Sequence, residues 1–471
     1  MLSAVNLSAS SLTVQWLTAG GRGVITHCRG DKVVASSIFL QFALPNSTSW
    51  FYLSFVIAIT VFFQFTRPWA LRNFDLLLLF LFAPGLLLVE QGGAEALLGE
   101  VASARRLRYA GYGWLLAASF VWFVRAQVDL LSFRRPLVAA NLGVPALVWL
   151  AGALLATLVG LAFTGPGEPV GRQPAAVSGV QDGATALVTQ GVAEGVSQGG
   201  VDSPGDLRFY VERSLAVACH VAVVVGLFFV GWKLVGDLPT GVAAAVLYLL
   251  LPYAAFHVGQ VHHVWPAALV LWAVFWYRRP TVAGVLLGLA AGTAFFPILL
   301  LPAWLQFYRP RGTPRFLGGF AAAWLVGVAV TVAVLAGTGR FPDGMWQSLH
   351  LADWHPWRTP TAESVWTGAH WAYRVPVFGV YCVYVASLFF WPPARHLGQL
   401  VAASAAVLIG VQFWFADRGG VYVLWYLPLL VIMVLRPNLA ELRPVDPGPW
   451  PTFVRRLLRQ ASASEPKSLV A

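Results

Sequence analysis

The stretch Leu249–Arg311, LLLPYAAFHVGQVHHVWPAALVLWAVFWYRRPTVAGVLLGLAAGTAFFPILLLPAWLQFYRPR, decides how the whole chain is read. No charged residue occurs between Asp237 and Arg278, a run of 40 residues. One membrane crossing needs only about 20 apolar residues. The run therefore predicts two crossings joined by a polar turn, and that turn is HVGQVHH, residues 257–263. The second apolar run, Pro280–Tyr308, has Arg278 and Arg279 at one end and Arg309, Arg311 and Arg315 at the other. Basic flanks favour the cytoplasmic side, so both ends are expected on one side. Pro297 and Pro302 interrupt the run, because proline removes an amide donor and crowds the preceding turn. It reads as a broken or re-entrant helical hairpin.

Composition points the same way. The chain has 471 residues, is 58% apolar and only 11% charged, and its mean hydropathy is +0.69. An average soluble domain carries about 25% charged residues, so a multi-pass all-α membrane bundle is expected. The net charge of +11 sits in short arginine-rich loops. That pattern fits cytoplasmic loops and anionic lipid headgroups, not a nucleic-acid partner. Cys28, Cys219 and Cys382 are too far apart in sequence for a metal motif. Residues 1–20 lack the basic and apolar regions of a signal peptide.

From the N-terminus, residues 1–49 read as a poorly ordered extension. Residues 50–164 hold the first membrane segments: Trp50–Thr66, Asn73–Val89, Tyr109–Val124 and Pro136–Phe163. Tyr109–Val124 has basic flanks on both sides and could lie in the interface. Residues 165–212 form a low-complexity loop with six acidic residues against Arg172 and Arg208, expected outside. Residues 213–435 form a second bundle with a Trp/His-rich external loop at 340–374. Its last segments are Val375–Trp391, Leu397–Phe415 and Gly419–Leu435. Residues 436–471 make a basic, Pro-rich tail, expected in the cytoplasm. The total is about 11 to 13 crossings at about 20 residues each. This topology puts the acidic loop, the HVGQVHH turn and the Trp/His loop on one external face.

His257, Gln260, His262 and His263 are the strongest polar cluster. Imidazoles and an amide can hold a phosphate or a sugar hydroxyl; the plain alternative is a polar turn between two helices. The spacing would also suit a divalent metal, though no carboxylate is close in sequence. In the Trp/His loop, His350, Asp353 and His355 lie among tryptophans whose faces can stack on sugar rings, or simply form an interfacial belt. Arg374 leaves this loop and is read either as a phosphate contact or as an interfacial snorkelling arginine. Arg125 and Asp129, four apart, predict a local ion pair. Asp417-Arg418 reads as a structural turn.

Several pieces of the chain resemble the GT-C superfamily of integral-membrane glycosyltransferases, in its polyprenyl-phosphate-mannose-dependent branch. They are Pro252, Gly259-Gln260-Val261, Arg278-Arg279-Pro280, Ala283–Ala290 and Pro297 to Pro302, within residues 238–315. The chain departs from that pattern at Ala294, where the family usually carries lysine, and it has no Asp-x-Asp or Glu-x-Asp pair in its first external loop. The resemblance implies a GT-C-like bundle in a bacterial plasma membrane. It implies transfer of a hexose such as mannose from a polyprenyl-phosphate sugar, the donor substrate, to an acceptor on the external face. It also implies a carboxylate base in or near the first external loop, with Glu90 the first candidate and Asp75 the alternative. Two other classes compete. A lipid or solute transporter would need charged residues inside several helices. A non-catalytic scaffold or inactive relative is the other.

Overall fold

A computed structural model describes residues 46–131, 140–164, 204–309, 312–337, 355–360, 363–391, 396–435, 439 and 442–444. The described residues are helical, with no strand among them. Six helices among them are long and apolar enough to cross a membrane, consistent with an integral membrane protein. Five shorter apolar helices accompany them.

The first half begins with α1 (Ser47–Phe62), whose N-terminus is capped by the Asn46 side chain accepting from the Ser49 amide at 2.8 Å. The second segment is broken into α2 (Leu71–Leu79) and α3 (Ala83–Leu97), with Pro84 in the first turn of α3. A break inside an apolar run frees carbonyls that lipid cannot satisfy. Here three aromatic side chains supply the donors. Trp122 reaches the Leu78 carbonyl at 2.9 Å, Tyr253 that of Leu79 at 2.5 Å, and Trp114 that of Leu81 at 2.7 Å. The Tyr109–Val124 segment, for which an interfacial position was also open, is part of α4 (Val101–Leu131), a 31-residue helix long and apolar enough to cross a membrane and packed back along α3. Helix α5 (Val144–Thr164) follows.

The second half contains α6 (Pro204–Phe229), which widens into a π-helical turn at Val230–Val235, and α7 (Leu238–Leu250). Then come the short α8 (Pro252–Phe256), α9 (Val261–Phe275) and α10 (Pro280–Thr293). The expected interruption near Pro297 is present. Helix α10 stops at Thr293, a 3₁₀ turn covers Phe296–Leu300, and α11 (Leu301–Tyr308) completes the run. Helix α12 (Thr313–Gly337) packs closely on α10. The last helices are α13 (Arg374–Ser387), α14 (Leu397–Trp414) and α15 (Leu427–Leu435).

Helix α14 is the axis of this arrangement. It is apolar all round, LGQLVAASAAVLIGVQFW, and almost every residue is buried; a helix with no polar face belongs in a core. Two of its polar side chains are tied to neighbouring helices. Gln399 donates to the Leu130 carbonyl at 3.1 Å, and Ser404 accepts from the Trp304 indole at 3.1 Å.

Arg125 and Asp129 form the expected local ion pair, and the pair is part of a buried triad. Arg125 bonds Asp129 at 2.5 Å and clasps Asp75 through two bonds at 2.8 and 3.1 Å. Both carboxylates are buried. This ion triad puts three charged side chains inside the helical bundle, between α2 and α4.

Candidate functional site

The site is built on the HVGQVHH turn. Pro252 starts α8 and the chain turns at His257–Gln260 before α9 begins. Across the turn, the His257 Nδ1 and the Gln260 Oε1 lie 2.9 Å apart. The Gln260 amide donates to the His257 carbonyl at 3.0 Å, and the His263 amide donates to the Gln260 carbonyl at 3.2 Å. Gly259 leaves room for the Arg213 guanidinium, which occupies the space a Cβ would need.

This folding-back stacks side chains that a continuous helix would separate. The rings of His257 and His263 lie face to face, 3.9 Å apart and 7° from parallel. His262 leans on His263 at 4.5 Å. The stack continues through Tyr422 (5.0 Å from His263), Trp425 (4.2 Å from Tyr422) and Phe296 (3.8 Å from Trp425). The Trp425 indole also donates to the His262 carbonyl at 3.1 Å. A column of aromatic faces thus runs from the polar turn to the 3₁₀ break after Ala294.

The imidazoles in this column retain hydrogen-bonding capacity. His257 Nε2, His262 Nε2 and His263 Nδ1 have no partner among the described residues. Next to them His220, from α6, shares a 2.9 Å bond with the Tyr248 hydroxyl and leaves its own Nε2 unpartnered. Burial pushes the His257 imidazole down to about 4, so it is neutral at pH 7. Buried polar atoms are normally paired, so this group of open nitrogens marks a place for a polar ligand. It does not mark a metal centre. Stacked imidazoles offer one another faces, whereas a metal needs converging lone pairs. Among the described residues no group of three or more His, Cys, Asp or Glu side chains is placed to hold a metal ion.

A second cluster adjoins the first. The Arg374 guanidinium, 2% exposed, donates to the His355 carbonyl at 3.0 Å and the Arg358 carbonyl at 2.8 Å. Arg358 pairs with Asp417 at 2.9 Å. Glu363 pairs with Arg108 of α4, and the Tyr109 hydroxyl donates to the Thr367 carbonyl at 2.5 Å. Residues 355–360 and 363–370 are thereby fastened over the end of the bundle that holds the histidines. His355 contributes its backbone to Arg374, while its ring packs edge-on against Trp357.

The sequence-derived candidates therefore fall into separate places. His257, Gln260, His262 and His263 come together. His355 and Arg374 form the neighbouring latch. His350 and Asp353 lie outside the described residues. Glu90, on α3, accepts from the Ser47 hydroxyl at 2.7 Å at the start of α1. Asp75 belongs to the buried triad with Arg125. That triad is remote: Tyr112, within reach of the charge of Arg418, lies 13 positions before Arg125 on α4, about 20 Å along the axis.

Sequence reasoning read Arg418 only as part of a structural turn and passed over Tyr422, Trp425 and Phe296. Their signal was present: Asp417 and Arg418 are the only charges between Leu397 and Leu435, followed by Gly-Gly and then Tyr422 and Trp425. No family model, curated protein or solved structure matches this chain.

Proposed function

We propose that this chain is an integral-membrane glycosyltransferase. It moves a hexose such as mannose from a polyprenyl-phosphate donor to a hydroxyl acceptor at the external face. The observation that carries the reading is the histidine column: neutral imidazoles with open nitrogens, continuous with the stacked faces of Tyr422, Trp425 and Phe296, at one end of a bundle of apolar helices. Aromatic faces match the apolar side of a sugar ring, and imidazole nitrogens can donate to or accept from its hydroxyls. The surrounding apolar helices give a lipid-linked donor its route.

In the proposed step the acceptor oxygen forms a bond to the anomeric carbon. The bond from that carbon to the donor phosphate oxygen breaks, and polyprenyl phosphate leaves with the electron pair. The acceptor proton passes to a carboxylate, for which Glu90 is the candidate, a role that requires reach to the acceptor hydroxyl. His257, Gln260, His262 and His263 bind and orient the sugar and its phosphate. In this reading Arg374 acts indirectly, by holding residues 355–358 and through them Asp417.

One observation favours a second reading, a membrane scaffold without catalysis. Ala294, where the resembling family carries lysine, is buried and has no charge to offer a phosphate. Transfer of radiolabelled mannose from polyprenyl-phosphate mannose, in membranes containing the chain, separates the two.

A further inference from the structure

Arg418 occupies an unusual position. Its φ is +51°, and it is the one residue other than glycine with a positive φ among the described residues. That region is strained for an L-residue and persists where the surroundings impose it. Here they do. On one side Asp417 is held by Arg358 at 2.9 Å. On the other, the Gly420 amide donates to the Gln412 Oε1 at 2.9 Å. Gly420, at φ +97°, lies so near α4 that a Cβ would sit 2.9 Å from that of Leu115. The turn is clamped at both ends with Arg418 between the clamps.

The clamp also consumes the nearby carboxylates. Asp417 is paired with Arg358, and Glu363 with Arg108. Arg418, only partly buried, has no carboxylate or hydrogen-bond acceptor for its guanidinium among the described residues. Its charge nevertheless reaches the imidazoles of His257, His262 and His263. Four residues on, Tyr422 stacks on His263. A guanidinium without a partner among the described residues, four positions from the ring that stacks on an open imidazole, is a recognition set for an oxyanion, since arginine matches phosphate oxygens with a planar fork of donors.

We propose that Arg418 is an anion-binding residue, holding a phosphate group against the histidine column, with the Asp417–Arg358 pair setting its position. The phosphate comes either from a lipid headgroup or from a free phosphate. The lipid source rests on the glycosyl-transfer reading; the anion site does not.

The test is binding to the full-length chain in nanodiscs of neutral lipid, followed by its tryptophan fluorescence. The probes are polyprenyl phosphate without a sugar, and inorganic phosphate. Wild type is expected to bind at least one of them. Arg418→Ala is expected to weaken that binding by about tenfold or more, and Arg418→Lys by less, because it keeps the charge and loses the fork. Arg106→Ala, an exposed arginine on α4, is the control and should bind as wild type. Binding of the lipid alone identifies a headgroup site; competition by inorganic phosphate identifies a free-anion site. The proposal is overturned if wild type binds neither probe, or if Arg418→Ala binds like wild type while folded by thermal melting. Phosphate binding that depends on Arg418, without mannose transfer by wild type, would retain the anion site and remove the glycosyltransferase reading. Mannose transfer by wild type, with probe binding unchanged in Arg418→Ala, would do the reverse.

Discussion

Trp425 donates its indole N–H to the main-chain carbonyl of His262 at 3.1 Å, so the segment before α15 is bonded directly to the histidine turn. The two lie 163 residues apart in sequence. The same indole stacks on Tyr422 and on Phe296. Trp425 therefore fixes both the backbone of the turn and the aromatic wall beside it.

Trp425→Phe keeps most of the stacking and removes the bond. A lost buried hydrogen bond that strands its acceptor costs about 1–3 kcal/mol. Thermal unfolding in detergent should show a loss of that order, with a fall in transfer that exceeds the fall in folded protein.

Asp75 and Arg125 give a contrasting case. Removing one member of a buried ion pair costs about 3–5 kcal/mol, so Arg125→Met should reduce folded protein sharply. Asp75→Asn, which keeps the shape of the side chain, should leave transfer per folded molecule unchanged. Loss of transfer from a normally folded Asp75→Asn protein would instead make Asp75 the base.

Glu90→Gln should behave in the opposite way. Loss of a general base lowers rates by about 10² to 10⁴-fold, while an amide can still accept from the Ser47 hydroxyl and hold α1 against α3. Normal expression and melting with transfer near background is the expected result. Ser47→Ala should reduce transfer less.

Close helix packing sets a further expectation. At Gly284 a Cβ would collide with the main-chain carbonyl of Phe316, where α10 and α12 meet. Gly284→Ala must push the helices apart, and overpacking of this kind costs about 1–3 kcal/mol. A lowered melting temperature checks it.

Hydropathy alone made the helical membrane architecture legible, because apolar runs of this length have few other uses. The HVGQVHH turn and the interruption near Pro297 were also legible, since proline and a polar island in a charge-free run have direct backbone consequences. What the order of residues did not reveal was long-range partnership. Nothing around Arg125 announces that Asp75, 50 residues earlier, completes its ion triad. Nothing near His263 announces Tyr422. Arg418 was hidden for another reason: a charged pair between two apolar helices usually caps a turn, and only the pairing of Asp417 with Arg358 shows that its neighbour was left uncommitted.

The most direct measurement is transfer of radiolabelled mannose from polyprenyl-phosphate mannose in membranes containing wild type, His263→Ala or His262→Ala, compared at equal folded protein. Transfer by wild type above empty membranes, largely lost in both histidine variants, is the predicted result. Wild-type membranes indistinguishable from empty ones would contradict glycosyl transfer with this donor. Full transfer by both variants would contradict the histidine column as its site.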